Sequence, residues 1–299
     1  MAWPYRFIFS VSDEELQRRR NTLDSRGQYA QFSALILLGA FFLYGLGRRT
    51  RFEQNKGKSW WDTPAIRGGS ETRKQYAVTL SWLLWLVSLS IWRTGDGEFL
   101  LSTRLGNIWL TIQQDYIHLT KALGHVGLSQ LPFLVLLAPT SFIFTSNSTL
   151  PSIISYLTSI PQPSLTAYHR LLGRFVIVPL VCSHAALFLL FYIQVPYPVF
   201  GTLFAKRIRD PDVQYGLAGT SFAILILVLG RANVWKLRNL ISISSPESRR
   251  QLFYVVHFVL VSIFFGLAYS HVRYARPFVL EAIGASVVNL AVCKLLASR

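Results

Sequence analysis

The sequence predicts an all-α, polytopic membrane protein, and its composition and charge pattern are the basis of that prediction. Hydrophobic residues make up 52% of the 299 residues and charged residues only 15%, whereas roughly 25% of an ordinary soluble domain is charged. The charged residues are clustered, and the uncharged stretches between clusters are long enough for membrane spans of about 20 residues. We therefore expect lipid to surround most of the chain, in the plasma membrane or an endomembrane.

About seven transmembrane helices are predicted from these stretches, at residues 29–47, 76–93, 125–146, 167–192, 214–231, 250–272 and 277–297. The last stretch is weaker than the others because it contains Glu281. The predicted division of the chain is an N-terminal tail at 1–28, an extra helix at 29–47, a basic loop at 48–75 and a six-helix domain at 76–299.

Four histidines lie within the uncharged stretches as two pairs, His169 with His184 and His257 with His271. An imidazole in the hydrocarbon region is costly, so it indicates a function and requires a partner. His257 and His271 are 14 residues apart, which is nearly four helical turns and about 21 Å, so both rings leave the same face of one helix. Two such helices that face each other would supply two bis-histidine haem sites, one near each membrane surface.

The order of the predicted spans makes the two histidine-bearing helices parallel, which pairs His169 with His257 (the inner pair) and His184 with His271 (the outer pair). The step from His169 to His184 is 15 residues, which leaves the second ring roughly 60° away from the first in a regular helix. Pro179 lies between them, and a proline kink or a π-bulge would absorb the additional residue and restore the register. A regular helix would instead argue against His184 as a ligand.

The run His169-Arg170-Leu171-Leu172-Gly173-Arg174, the second histidine deeper in that helix, and Arg250 followed by His257 and His271 resemble the ferric reductase transmembrane domain. Fungal ferric reductases and NADPH oxidases share this domain. The stretch 124–132, Gly-His-Val-Gly-Leu-Ser-Gln-Leu-Pro, is similar to the preceding helix of the family. The resemblance covers roughly residues 76–298 and implies a six-helix core with two b-type haems. Cytochrome b561-like reductases are a neighbouring possibility, but their ligands are spread over four helices.

Arginines near the predicted helix ends are candidates for charge-assisted hydrogen bonds to haem propionates; they are Arg170, Arg174, Arg250 and Arg273. The alternative for each is ordinary snorkelling of a long cationic side chain. His125 could bind a propionate or assist an acceptor at the outer face, and placement at the interface explains it equally well. Phe264 lies seven residues from both His257 and His271, where it either packs the core or shields an electron path between the pairs.

The loops at 48–75 and 232–249 are the most basic short loops, and lysine and arginine accumulate in cytosolic loops. This agrees with the sidedness that the resemblance implies, although the arginines before residue 29 would then lie outside. The net charge of +16 indicates contact with anionic lipid headgroups and not with nucleic acid, because the basic residues flank apolar helices. Cys182 and Cys293 lie in apolar stretches and are expected to be buried thiols.

Flavin-dependent relatives continue into a soluble domain that binds FAD and NADPH. The chain contains no Gly-rich phosphate loop in a strand-turn-helix setting, so we expect that it binds neither cofactor. The resemblance then implies a haem-only subunit, or a truncated relative, that takes electrons from a separate cytosolic flavoprotein. Its external acceptor would be a ferric or cupric chelate or dioxygen. The alternative is a haem-free, degenerate relative that acts as a membrane scaffold or regulator.

Overall fold

The computed structural model describes residues 12–49, 59–67, 69–92, 116–139, 152–230 and 246–297. In chain order the helices are α1 Asp13–Arg49, α2 Arg73–Ile91, α3 Tyr116–Ser129, α4 Leu131–Leu136, α5 Ile153–Thr158, α6 Gln162–Leu172, α7 Val178–Gln194, α8 Leu203–Arg207, α9 Pro211–Leu229, α10 Pro246–His271 and α11 Arg276–Ala297. A π-helical segment, Gly173–Ile177, joins α6 to α7, and 3-10 turns lie at Trp60–Asp62 and Arg273–Ala275. The only strands in the described ranges form one short hairpin, β1 Pro196–Tyr197 and β2 Gly201–Thr202. The predicted all-α class is confirmed.

Five helical segments within the described ranges are long and apolar enough to cross a membrane: Leu16–Gly47, Gln162–Gln194, Pro211–Leu229, Gln251–His271 and Arg273–Leu295. Large apolar side chains on these segments face outward, as Ile36 on α1 and Val287 on α11 illustrate, with exposed fractions of 73% and 60%. A soluble monomer rarely exposes so much contiguous apolar surface, whereas lipid solvates it. The chain is therefore an integral, polytopic membrane protein.

Two of the seven predicted spans are not among these five. The helix predicted at 76–93 is α2, whose 19 residues include several serines and two basic residues in the first turn. The span predicted at 125–146 begins earlier, at Tyr116, and is interrupted at Gln130. Pro132 causes this interruption, because proline has no N–H to donate to the carbonyl four residues before it. The end of that predicted span lies outside the described residues.

The helix boundaries differ from the predicted ones where a capping residue fixes the start. α2 begins at Arg73 because Thr72 and Gln75 form a capping box, with Oγ1 of Thr72 accepting from the Gln75 N–H at 3.3 Å. The Thr72 N–H donates in return to Oε1 of Gln75 at 2.8 Å. α9 begins at Pro211, three residues before the predicted start, since proline suits the first turn of a helix.

The first helix is much longer than predicted, because α1 begins at Asp13 and not at residue 29. Residues 13–28 are polar, but most of them are good helix formers. The segment is also held by packing, since Arg26, Gly27 and Ala30 are buried. Residues 13–28 are thus part of a helix and not a tail.

Two apolar clusters form the core of the described bundle. The first joins α1, α2, α3 and the π segment through residues such as Ala34, Leu86, Val126 and Val176. The second joins α4, α7, α9, α10 and α11 to the same π segment and includes Ile177. Val176 and Ile177 are adjacent in sequence, so the π segment lies between the two halves of the bundle.

A buried amide side chain ties the short helices α4 and α5 to α11. Asn289 of α11 is fully buried, and its Oδ1 accepts a hydrogen bond of 2.9 Å from the Ile153 N–H at the start of α5. Its Nδ2 donates to the carbonyls of Val135 and Ala138 at 3.5 and 3.4 Å. A buried amide is stabilising only when its donors and acceptors are satisfied, and here one side chain satisfies three backbone groups from two segments.

We expect the loop before α2 and the β1–β2 hairpin to lie on opposite sides of the membrane. Glu71 of this loop contacts Arg170 of α6, whereas the hairpin follows the end of α7 at Gln194. The 24 residues between Arg170 and Gln194 span about 36 Å of helix. In intact cells, a membrane-impermeant maleimide should therefore label the exposed Val199→Cys variant, and label Ile66→Cys only after permeabilisation.

The unsubstituted protein is the control for this labelling, since Cys182 is half-buried and Cys293 is buried. Labelling of both variants in intact cells would contradict the opposite placement of the two segments. Labelling of Ile66→Cys alone would reverse the predicted sidedness.

Candidate functional site

The helix that carries His169 and His184 contains a π turn, Gly173–Ile177, between the two histidines. The Val178 N–H donates to the Gly173 carbonyl five residues earlier, so this turn holds one residue more than an α turn. His169 and His184 are 15 residues apart, and the π turn accommodates one of these residues. The rotation between the two rings about the helix axis is therefore close to that of a 14-residue step in a regular helix. Of the two predicted alternatives, a proline kink or a π-bulge, the structure has the π-bulge, and Pro179 explains its position, because proline cannot donate to the Phe175 carbonyl.

The structure brings the four histidines together in the two pairs that the sequence analysis predicted. The ring centroids of His169 and His257 are 6.3 Å apart, and the ring planes are inclined by 75°. The ring centroids of His184 and His271 are 6.2 Å apart, with an inclination of 72°. Both pairs join the α6–α7 helix to α10, at two depths.

These separations fit a metal bound between each pair of rings. A metal–imidazole bond is about 2 Å long, and a ring nitrogen lies roughly 1 Å from its ring centroid, so two rings on opposite sides of one metal have centroids about 6 Å apart. Rings in direct edge-to-face contact also have centroids about 4.5 to 7 Å apart, so these separations fit a bound metal without requiring one. Within the described residues, no three or more His, Cys, Asp or Glu side chains converge as a metal site, so each pair offers two protein ligands.

Three of the four imidazoles are oriented by a hydrogen bond between Nδ1 and a backbone carbonyl. Nδ1 of His169 lies 3.0 Å from the Leu134 carbonyl, and Nδ1 of His184 lies 2.7 Å from the Thr120 carbonyl. Nδ1 of His271 lies 2.6 Å from the Asp212 carbonyl. A carbonyl can only accept, so each Nδ1 carries the proton and each Nε2 keeps a lone pair for a metal.

The fourth imidazole, His257, is held by stacking. Its ring lies on the ring of Phe253, one helical turn earlier, with centroids 5.5 Å apart and planes inclined by 23°. Phe264 lies midway between His257 and His271 on α10 and is buried, with 6% of its surface exposed. Its ring therefore belongs to the core of the bundle, at the depth between the two pairs.

Glycines provide the space for both rings of the outer pair. A Cβ atom on Gly124 would lie 2.9 Å from Cγ and Nδ1 of His184, and one on Gly216 would lie 2.6 Å from Cε1 of His271. Carbon atoms do not approach so closely without displacement, so α3 and α9 can contact these rings only where they lack side chains. The sequence analysis missed this role of Gly124 and Gly216, because a helical glycine does not indicate which ring it faces.

Among the candidate arginines whose side chains the structure describes, Arg170 is the one held by a carboxylate. Its Nε donates to Oε1 of Glu71 at 3.0 Å, and its Nη2 donates to the Ser70 hydroxyl at 3.1 Å. Partial burial raises the pKa of Glu71, but the hydrogen bond and charge of Arg170 more than offset this, so the pKa of Glu71 is lowered overall. This contact joins the loop before α2 to the helix that carries His169.

The other candidate arginines differ in position, since Arg174 lies in the π turn, Arg250 near the start of α10 and Arg273 in the turn after α10. Arg174 is exposed and its guanidinium lies 5.1 Å from the centroid of the Phe175 ring. Arg273 is exposed in the 3-10 turn after α10. Arg250 belongs to α10, but its side chain lies outside the described part of the chain. A propionate contact stays a prediction for all four.

The sequence analysis assigned Arg26 to a tail, but the structure buries it completely within the bundle. One of its Nη atoms donates to the Trp92 carbonyl at the end of α2. A signal was present in the sequence, since Arg26 and Gly27 directly precede the first apolar stretch. That signal did not distinguish a helix end in solvent from a buried contact between helices.

One of the comparisons with known proteins found a match. Residues 123–268 match the family model described as ferric reductase like transmembrane component. The matched region begins within α3, includes His169, His184 and His257, and ends three residues before His271. No curated protein matches the chain, and no solved structure matches it.

Replacing Gly216 by alanine should destabilise the protein, because the new methyl would lie 2.6 Å from the His271 ring. Forcing a side chain into a packed site costs about 1–3 kcal/mol, which exceeds the gain of about 0.5–1 kcal/mol that alanine has over glycine within a helix. Thermal denaturation of the purified protein in detergent should therefore show a lower midpoint for Gly216→Ala.

The control is Gly219→Ala on the same helix, whose Cβ would meet its nearest neighbour, Cβ of Leu267, at an ordinary 3.7 Å. Its midpoint should equal or exceed that of the unsubstituted protein. Equal midpoints for the Gly216 and Gly219 variants would contradict the close contact with His271.

Proposed function

Because residues 123–268 are a ferric reductase-like transmembrane domain, we propose that the chain transfers electrons across the membrane through two bis-histidine b haems. The electrons would pass from a cytosolic flavoprotein donor to an external acceptor. The single observation that carries this proposal is the repeated geometry of the histidines, with facing rings 6.3 Å and 6.2 Å apart at two depths. An incidental histidine contact in a membrane would not be expected twice on the same two helices.

The protein residues have distinct tasks under this proposal. His169 and His257 would hold the inner haem, and His184 and His271 the outer one. When bound, a haem with two imidazole ligands undergoes one-electron oxidation and reduction and has no open position for a substrate at iron. The backbone carbonyls at Leu134, Thr120 and Asp212 would keep three of the imidazoles in the tautomer that binds through Nε2.

The loop before α2 supports the proposal of a cytosolic donor. Arg67, Arg73 and Lys74 lie in or next to this loop, and the Glu71–Arg170 pair joins it to the helix of the inner pair. Positive charge at this position would steer an acidic region of a flavoprotein toward the inner haem. The chain itself would bind neither FAD nor NADPH.

Basic residues near the opposite end support an anionic external acceptor such as a ferric or cupric chelate. Lys206, Arg209, Arg273 and Arg276 lie on or beside the segment after α7 or the turn after α10. Arg207 contributes less positive charge to this surface, since it pairs with Asp210 and Asp212. Dioxygen is the uncharged alternative acceptor.

The purified protein should contain close to two haems per chain, measured by the pyridine haemochrome assay. His257→Ala should leave about one, because it removes one of the two ligands of the inner pair. His271→Ala should also leave about one, and the spectra of the two remaining haems should differ. His118→Ala is the matched control, since His118 is buried outside the two pairs, and it should retain both haems.

A colourless, well-folded preparation from haem-replete cells would refute the proposal. That result would favour the second class of function, a haem-free membrane scaffold or regulator.

Proteoliposomes test the transfer itself. Dithionite trapped inside should drive reduction of ferric citrate outside, and His271→Ala should abolish this because the outer haem would be lost. The purified chain should not oxidise NADPH unless a flavoprotein is added. Turnover of NADPH by the chain alone would contradict the separate donor, and bound haem without transmembrane reduction would contradict electron transfer.

A further inference from the structure

Arg207, at the end of α8, pairs with two carboxylates at the start of α9. Its Nη1 donates to Oδ2 of Asp210, and its Nη2 donates to Oδ2 of Asp212 at 2.9 Å. Asp210 is the N-cap residue of α9, and aspartate is a preferred capping residue, but this side chain makes no capping hydrogen bond. Its carboxylate pairs with Arg207 instead. The start of α9 is therefore held by a side chain of the preceding segment.

The first turn of α9 is also the part of that helix that orients His271. The Asp212 carbonyl accepts the hydrogen bond from Nδ1 of His271 at 2.6 Å. Gly216, one turn later, lies against the same ring, since a Cβ there would be 2.6 Å from Cε1. Asp212 thus carries both the carboxylate that Arg207 holds and the carbonyl that orients the ring. A shift of this turn relative to α10 would change the hydrogen bond.

A second set of contacts leads from Arg207 to the other ring of the outer pair. The guanidinium carbon lies 5.9 Å from the centroid of the Tyr192 ring, near the end of α7. The centroids of Tyr192 and Phe188 are 5.5 Å apart, and those of Phe188 and His184 are 5.1 Å apart. These three residues of α7 follow one another at steps of four, so they share one face of the helix. One side chain therefore connects to both imidazoles of the outer pair.

The exposure of these groups indicates that the pairing acts through geometry. The Arg207 side chain is 32% exposed, and those of Asp210 and Asp212 are 34% and 44% exposed. Ion pairs that are this exposed contribute little to stability. The planar guanidinium nevertheless holds its donors in a fixed fork, so two carboxylates that bind it keep a fixed position relative to α8.

We propose that Arg207 is a positioning residue for the outer pair. By holding Asp212, it keeps the Asp212 carbonyl at Nδ1 of His271, and through Tyr192 it supports the aromatic side chains beside His184. The proposal deepens the proposed function and rests on it, because its consequence is measured on the haem that the outer pair would bind.

The direction of the effect follows from the hydrogen bond to His271. A hydrogen bond from Nδ1 to a carbonyl makes the imidazole a more basic ligand, and a more basic ligand stabilises the oxidised iron. Loss of Arg207 should weaken this hydrogen bond and raise the reduction potential of that haem. The simple loss of a nearby positive charge has the opposite sign, because it disfavours the reduced haem.

The test compares Arg207→Gln with Arg209→Gln by spectroelectrochemical titration of both haems. Arg209→Gln is the matched control, because it removes the same charge from the same segment, where its guanidinium lies over the Phe200 ring at 4.8 Å. Relative to this control, Arg207→Gln should raise the reduction equilibrium constant of one haem about threefold, which is about 28 mV for one electron. The other haem should be unchanged.

Asp212→Asn is the second variant, because it weakens the pairing and keeps the backbone carbonyl. It should raise the potential of the same haem, and the double variant with Arg207→Gln should shift it by less than the sum of the single shifts, since both act through one contact. Arg207→Lys keeps the charge without the fork; it applies if Arg207→Gln does not fold, and it should also raise the potential. A potential for Arg207→Gln equal to or below that of Arg209→Gln would overturn the proposal, as would additive shifts in the double variant.

A haem count on the unsubstituted protein separates failure of this inference from failure of the proposed function. Two haems per chain with the same potentials in Arg207→Gln and Arg209→Gln refute the positioning role alone. A protein without haem refutes both.

Discussion

The two histidine pairs have ring centroids 6.3 Å and 6.2 Å apart. To hold both pairs, two helices must run side by side in register over the depth of a membrane. The helix α10 meets this requirement directly, because its histidines are 14 residues apart and lie on one face. The partner helix has one residue too many and meets it only through the π turn at Gly173–Ile177. The rest of the described bundle is arranged around that register.

The neighbouring helices hold the rings through backbone atoms, and this has a physical reason. A side-chain carboxylate next to each histidine would introduce a further charge into the hydrocarbon region, which is costly. A backbone carbonyl orients Nδ1 without a formal charge. For the outer pair, this contact requires that α3 and α9 come very close, and Gly124 and Gly216 make the approach possible. The hydrogen bonds and the glycines are therefore parts of one arrangement.

Most of the site was predictable from the sequence because its residues obey helix periodicity. The spacing of the histidines gave the pairs, and the surplus residue next to Pro179 indicated a bulge. The carbonyl partners of Nδ1 were not predictable, because every residue has a carbonyl and only tertiary packing decides which one faces a ring. Arg26 was also not predictable, since a polar helix end before an apolar stretch has the same sequence pattern in solvent and in a bundle.

Some of the helical segments were predictable from the sequence and others were not. Spans with uninterrupted apolar sequence, such as 214–231 and 250–272, correspond closely to α9 and α10. The span predicted at 125–146 differs, because one proline interrupts a pattern that hydropathy alone reads as continuous. Hydropathy reports the solvent around a helix and does not report its hydrogen bonds.

The two ends of the site are held differently, and under the proposed function this difference would bear on the direction of electron transfer. At the inner end, the partly exposed Arg170–Glu71 pair connects the His169 helix to the loop before α2, where such a pair can exchange partners at little cost. At the outer end, the buried cation is Arg26, whose guanidinium donates a hydrogen bond to the Trp92 carbonyl. Under the proposed function, an exchangeable contact would suit a surface where a donor protein binds and leaves. A positive charge fixed in the bundle on the outer side would favour the electron on that side.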